Sequence, residues 1–170
     1  IAQVRAGCVI HGRIAHASRI TLEADMTTAT SYHIPDDRAY DGDHHLWVQL
    51  ESTTGRAVVG IDAFGLDSLG ELAYVSLQPV GAQVRRGESL GTLEAAKMTT
   101  VLVAPVSGTV VDRNANALSD PTVVNRDPYG QGWLVALEPT DWAGESATLL
   151  SGAALPDWVA AETERYRGRG

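Results

Sequence analysis

The sequence predicts a mainly β domain, a small barrel or sandwich built from a duplicated motif, with short helices and a helix at its C-terminal end. Three observations predict it. From His33 onward, apolar residues mostly alternate over short stretches, the period of half-buried strands. An internal echo, PVGAQV at residues 79–84 and PVSGTV at 105–110, sets each copy between a short apolar strand and a further β segment, as a duplicated motif would. A sustained helical pattern appears only near the end, in PDWVAAETERYR.

The elements follow in order. Residues 1–31 read as an N-terminal extension, expected to be flexible, 32–142 as the domain, and 143–170 as a C-terminal helical segment and tail. The extension carries Arg5, Arg13 and Arg19 before its first acid, Glu23, in the manner of a basic targeting segment. The alternatives are a disordered leader, or residues upstream of a start at Met26. Cys8, His11 and His16 fall there and are set aside as ligands. HLWVQLE then places Leu46, Val48 and Leu50 on one strand face, and RAVVGI returns across the Thr53-Thr54-Gly55 turn, which makes a hairpin. DAFGLDSLGEL spaces Phe64, Leu66 and Leu69 as a short helix that Gly70 stops. Short strands follow, punctuated by Pro79, Gly81, Gly87 and Gly91. DPTVVN offers Asp120 as a cap and Pro121 as first residue of one or two helical turns. GWLVALE is a closing strand. In the last helix Leu155, Trp158, Val159 and Tyr166 face one side, ready to pack on the barrel.

Composition narrows the function. The chain has 170 residues and a net charge of -8, which argues against non-specific nucleic-acid binding and suits partners met through an acidic surface. Cys8 is the single cysteine, so neither an internal disulfide nor a cysteine metal cluster is available. No apolar run is long enough to span a bilayer. A cytoplasmic monomer that binds no membrane is expected, or a mitochondrial one if the first segment is a transit peptide.

Two motifs invite chemistry and are better read otherwise. GESLG at 87–91 matches the hydrolase nucleophile elbow, but every histidine precedes Ser89 and the chain is too short for the parallel sheet that motif needs. Its glycines fit tight β turns. His44 and His45 lie near Asp41 and Asp43, yet adjacent strand residues point to opposite faces, so a solvated turn is the better reading than a shared metal.

Lys97 stands apart. It is the only lysine, against twelve arginines, and lies in TLEAAKMTTV between the two echo copies, where a hairpin tip is expected. An amine can be acylated to a neutral amide and a guanidinium cannot serve in its place. An ordinary surface cation is the alternative, and it leaves unexplained why arginine did not serve here too.

GTLEAAKMTTVLVAPVSGTVV resembles the biotinyl/lipoyl attachment domains. IPDDRAY, HLW, VGIDAFGLDSLGELAYVSLQPVGAQVRRGESLGTLEAAK, APVSG and NRDPYGQGWL, in that order, resemble the H-protein family of the glycine cleavage system across residues 34–137. The resemblance implies a lipoyl-type barrel-sandwich hybrid of two quasi-symmetric halves with lipoate attached to Lys97, and no catalytic or metal residues. It implies a carrier, not an enzyme. The lipoyl arm would take an aminomethyl group from the pyridoxal-phosphate glycine decarboxylase, pass it to the tetrahydrofolate-dependent aminomethyltransferase, and be reoxidised by dihydrolipoamide dehydrogenase. A lipoate ligase or lipoyl transferase would load it.

Three departures from the family pattern stand in the sequence. Ala95 replaces the usual serine, Met98 follows the lysine, and Tyr40 and His45 are one residue further apart than usual. LEAAKM approaches the E-A-M-K-M of biotin carriers, although Ala96 breaks that pattern. Two further readings therefore remain open, an H-like lipoyl carrier for another route such as sulfur oxidation or lipoyl relay, and a biotin carrier.

Overall fold

The computed structural model describes residues 31–169. The expectations for Cys8, His11, His16 and the arginines of the N-terminal extension lie outside them. Two antiparallel sheets enclose the core. The larger runs β1 (Ala39–Asp41), β2 (Leu46–Leu50), β3 (Ala57–Ile61), β9 (Val135–Pro139), β8 (Gly108–Arg113) and β5 (Gln83–Val84). The smaller runs β4 (Leu72–Leu77), β6 (Ser89–Ala95) and β7 (Thr99–Val103). Helix α1 (Ala63–Leu69) links β3 to β4, α2 (Ala115–Ser119) and α3 (Thr122–Arg126) link β8 to β9, and α4 (Trp142–Ser146) and α5 (Leu155–Arg167) end the chain.

The echo in the sequence is an echo in space. Its two copies lie against each other: Gln83 pairs with Thr109 and Val84 with Gly108, and the amides of Gly81 and Val110 donate across to Val110 and Ala82. The β6–β7 hairpin, with Lys97 at its tip, is the segment between them. This is the mainly β, two-halved architecture that the periodicity and the repeat call for.

The core joins both sheets through Val59, Ile61, Leu72, Leu90, Leu93, Leu102, Leu134 and Leu137. The β2–β3 hairpin forms as expected, with Gly55 at a φ of 71° in its turn. Its side-chain pattern does not. Leu46 and Val48 are buried, but Leu50 is exposed at the strand end, and Trp47 on the other face is only 2% exposed. Trp47 is covered because its indole lies over Gly60 and donates to the carbonyl of Pro128, so this strand has protein on both sides.

The chain between residues 113 and 127 differs from expectation. Asn114 is buried and caps a helix, α2, that the sequence reading lacked, and its amide also donates to the carbonyls of Gln131 and Trp133. Pro121 is the cap residue of α3, not its first residue, and the Asp120 carboxylate accepts from the amide and hydroxyl of Thr122. Helix α4 opens the C-terminal helical segment, ahead of the residues that carry the helical pattern. Helix α5 buries Leu155 and Tyr166, while Trp158 and Val159 are half-buried. Of the GESLG glycines, Gly87 turns with a φ of 85°, whereas Gly91 sits inside β6 at a register shift against β7.

Candidate functional site

Lys97 is exposed at the tip of β6–β7. Glu94 pairs with Thr99, and the Ala95 amide donates to Met98, leaving Ala96 and Lys97 as the two turn residues. Neither has a positive φ. A tight hairpin usually needs the left-handed turns that demand glycine or asparagine, so this tip requires outside support.

Helix α1 supplies it. The amides of Ala96 and Lys97 donate to the carbonyls of Glu71 (3.0 Å) and Leu69 (3.2 Å), and the Lys97 amine donates to the Asp67 carbonyl at 2.9 Å. The Asp67 and Leu69 carbonyls are available because α1 ends there, the last carbonyls of a helix having no partner within it, and Glu71 lies just beyond the helix. Gly70 ends the helix at a φ of 81°, a conformation that glycine adopts without strain, and its absent side chain faces the Lys97 stem.

The segment NRDPYGQGWL, which begins in the last turn of α3, holds α1 at both ends. The Tyr129 hydroxyl accepts from the Ala63 amide at 2.9 Å, at the helix start. At the helix end, Asn125 donates to the Gly70 carbonyl (3.0 Å) and accepts from the Leu72 amide (2.9 Å). Arg38 stacks between Trp47 and Tyr129, and the Asp37 carboxylate receives its guanidinium. The hydrogen bond from Arg38 holds the Asp37 carboxyl below the usual carboxylate range. Burial pushes the Tyr129 phenol up, which keeps it neutral.

Asp62 also fixes α1. Its carboxylate is fully buried and accepts from the Gly65 amide at 2.9 Å. The other oxygen faces the His45 ring at 3.4 Å, without hydrogen-bond geometry. The two histidines therefore part ways. His44 is exposed and meets the Asp41 carboxylate at 2.9 Å, as a solvated turn implies. His45, at a φ of 55°, turns inward instead and approaches the Tyr166 hydroxyl at 3.3 Å, so the solvated reading does not hold for it. The reason is packing: Phe64, Trp158 and Tyr166 surround its ring.

Two hollows have Met98 on their walls, and Lys97 lines the first of them. One, of about 600 Å³, is lined by Tyr32, Asp67, Ser68, Lys97, Tyr166 and Arg169. The other is a cleft of about 210 Å³ whose walls include Leu46, Ile61, Leu69, Leu93 and Leu102. The lysine amine is held by a single carbonyl and takes part in no ion pair among the described residues. Such an exposed amine can be acylated to a neutral amide.

Comparison with known proteins decides the family. The model of the "Glycine cleavage H-protein" family matches residues 38–161. The chain belongs to that family. A glycine cleavage system H protein of Chlorobaculum parvum is 43% identical over 120 residues, covering 71% of this chain and 92% of the relative. That of Bacillus subtilis is 38% identical over 118 residues, covering 69% and 90%. The crystal structure of a glycine cleavage system H protein from Mycobacterium marinum shares the fold, with a TM-score of 0.65 and 36% identity, covering 75% of this chain and 98% of that one. The matched span contains α1, the lysine hairpin and the Asn125–Tyr129 support. Sequence reasoning singled out Lys97 but assigned no role to Asp67, Asn125 or Tyr129. The signal was there, since Asp67 lies in VGIDAFGLDSLGELAYV and Asn125 and Tyr129 in NRDPYGQGWL, stretches that carry the family resemblance.

Proposed function

We propose that this chain is a lipoyl carrier of glycine cleavage, a cofactor-bearing component and not itself an enzyme. Lipoate joined to Lys97 would supply a ring disulfide as acceptor for the aminomethyl group moved from glycine decarboxylase to the aminomethyltransferase. The observation that carries this reading is the single lysine of the chain, exposed on a hairpin braced by α1, within a family-matched span.

The residues of this chain have distinct tasks. Lys97 provides the nitrogen of the amide link. The carbonyls of Leu69 and Glu71 fix the turn so that the side chain leaves the domain in one direction. Asn125 and Tyr129 keep α1 where those carbonyls can act. A tethered group visiting several enzymes has a high effective concentration at each, which replaces free diffusion of a reactive species. Dihydrolipoamide dehydrogenase and a lipoate ligase or lipoyl transferase complete the set of partners, in the cytoplasm.

The test pairs Lys97→Arg with the natural chain. The exposed swap should change stability by no more than about 0.5 kcal/mol. Glycine–bicarbonate exchange with the decarboxylase should be lost, because a guanidinium is not acylated. Full exchange by the folded variant would sink the proposal. The Ala95 and Met98 departures favour one second reading, a carrier of the same build serving another lipoyl-dependent route. A lipoylated chain that gives no exchange with the decarboxylase would support it.

A further inference from the structure

The small sheet turns one face to the core and leaves the other in solvent. Across the open face run two rows set by the strand register, Tyr74–Glu94–Thr99 and Ser76–Thr92–Val101. A bulge between Leu72 and Tyr74 breaks the alternation of β4. An unbroken strand would put these two residues on one face. Here Leu72 is in the core while Tyr74 is 54% exposed. Bulges of this kind re-aim side chains beside functional sites. Val101 is 53% exposed and Met98, at the hairpin tip, 51%. Of the five large apolar side chains most exposed among the described residues, three thus lie on this sheet and its hairpin. Glu94 stands at the centre of this surface and Glu71 beside the hairpin, and neither carboxylate has an ion-pair or hydrogen-bond partner among the described residues.

We propose that this face is the docking surface for the enzyme that acylates Lys97, and that the enzyme meets it with an apolar patch flanked by basic side chains. The proposal rests on the reading of Lys97 as the attachment site. The chemistry selects the occupant. In the acylation, the Lys97 Nζ lone pair attacks the carbonyl carbon of a lipoyl group activated as a mixed anhydride with a nucleoside monophosphate. The C–N bond forms, the bond to the phosphate oxygen breaks, the nucleotide leaves with the electron pair, and the amine gives up its proton. The carbonyl carbon must come within about 3–3.5 Å of Nζ, so this enzyme must close around the hairpin itself. On one side the hairpin rests on α1. The open sheet face is continuous with its other side. For an enzyme working at the far end of the finished arm, the reacting atoms lie farther from the hairpin by the length of that arm. The unpartnered carboxylates of Glu94 and Glu71 call for positive charge opposite them.

The experiment follows lipoylation by intact mass, using the full chain, a lipoate ligase, lipoate and ATP, with the carrier varied. In the double variant Tyr74→Ser/Val101→Ser, kcat/KM for the carrier should fall roughly tenfold or more, as when anchoring contacts are truncated, through KM and not kcat. Glu94→Lys should lower it severalfold and flatten its salt dependence. Both variants, once driven to full lipoylation by long incubation, should support glycine–bicarbonate exchange at the natural rate. Unchanged lipoylation kinetics in these variants overturns the proposal. So does normal lipoylation with lost exchange, which would assign the face to the decarboxylase. If the double variant melts early, Glu94→Lys alone decides. A natural chain that takes up no lipoyl group contradicts the reading of Lys97 itself, whereas a lipoylated natural chain with unaffected variants contradicts only the docking surface.

Discussion

Asn125→Ala should loosen the lysine hairpin from a distance. Its side chain makes two hydrogen bonds to the segment that ends α1, one to the Gly70 carbonyl and one from the Leu72 amide. Each such bond contributes about 0.5–1.5 kcal/mol net, and a buried donor left without a partner costs about 1–3 kcal/mol. Leu72 is 1% exposed, so water cannot readily replace the lost acceptor. The expected destabilisation is about 2–4 kcal/mol. At about 3 °C per kcal/mol for a domain of this size, Tm should fall by roughly 6–12 °C. Denaturant melts give the free energy, and amide hydrogen exchange gives the mechanism. The Ala96 and Lys97 amides, bonded to Glu71 and Leu69, should exchange faster in the variant under native conditions. Arg126→Ala is the neighbouring control. That side chain meets Asp120 on the exposed surface, where an ion pair contributes about 0–1 kcal/mol. An Asn125→Ala variant as stable as the control, with protection at Ala96 and Lys97 unchanged, would refute the view that α3 braces the hairpin through α1.

Two more expectations follow. Gly60→Ala would push a methyl group into the Trp47 indole, costing about 1–3 kcal/mol by overpacking and altering the near-UV dichroism of that indole. Burial raises the Tyr40 and Tyr129 phenols above their usual range, so their contribution to stability is complete below about pH 10 and lost as pH rises beyond it; phenolate absorbance that appears for both without unfolding would contradict this.

The fold was legible in the sequence where local pattern and long-range packing agree. The β2–β3 hairpin, α1 with Gly70 as its stop, and the paired echo copies are set by turn chemistry and by apolar period. Lys97 was legible for a chemical reason: a lone amine among arginines at a hairpin tip. What stayed hidden depends on partners distant in the chain. Trp47 is buried on a strand face that alternation assigns to solvent, because the Pro128 carbonyl and Gly60 receive it. His45 turns inward toward Asp62 and α5, which no local pattern encodes. Asn114 reads as a loop residue until its carbonyl partners at Gln131 and Trp133 are in place.

Peptide-resolved mass spectrometry of the chain, produced with an active lipoate ligase and with biotin ligase also present, tests most directly whether Lys97 is the lipoyl attachment site. The expected result is a lipoyl adduct on the peptide that contains Lys97 and on no other. Biotin at that position, or an unmodified Lys97 beside a ligase shown to be active on another carrier, would contradict it.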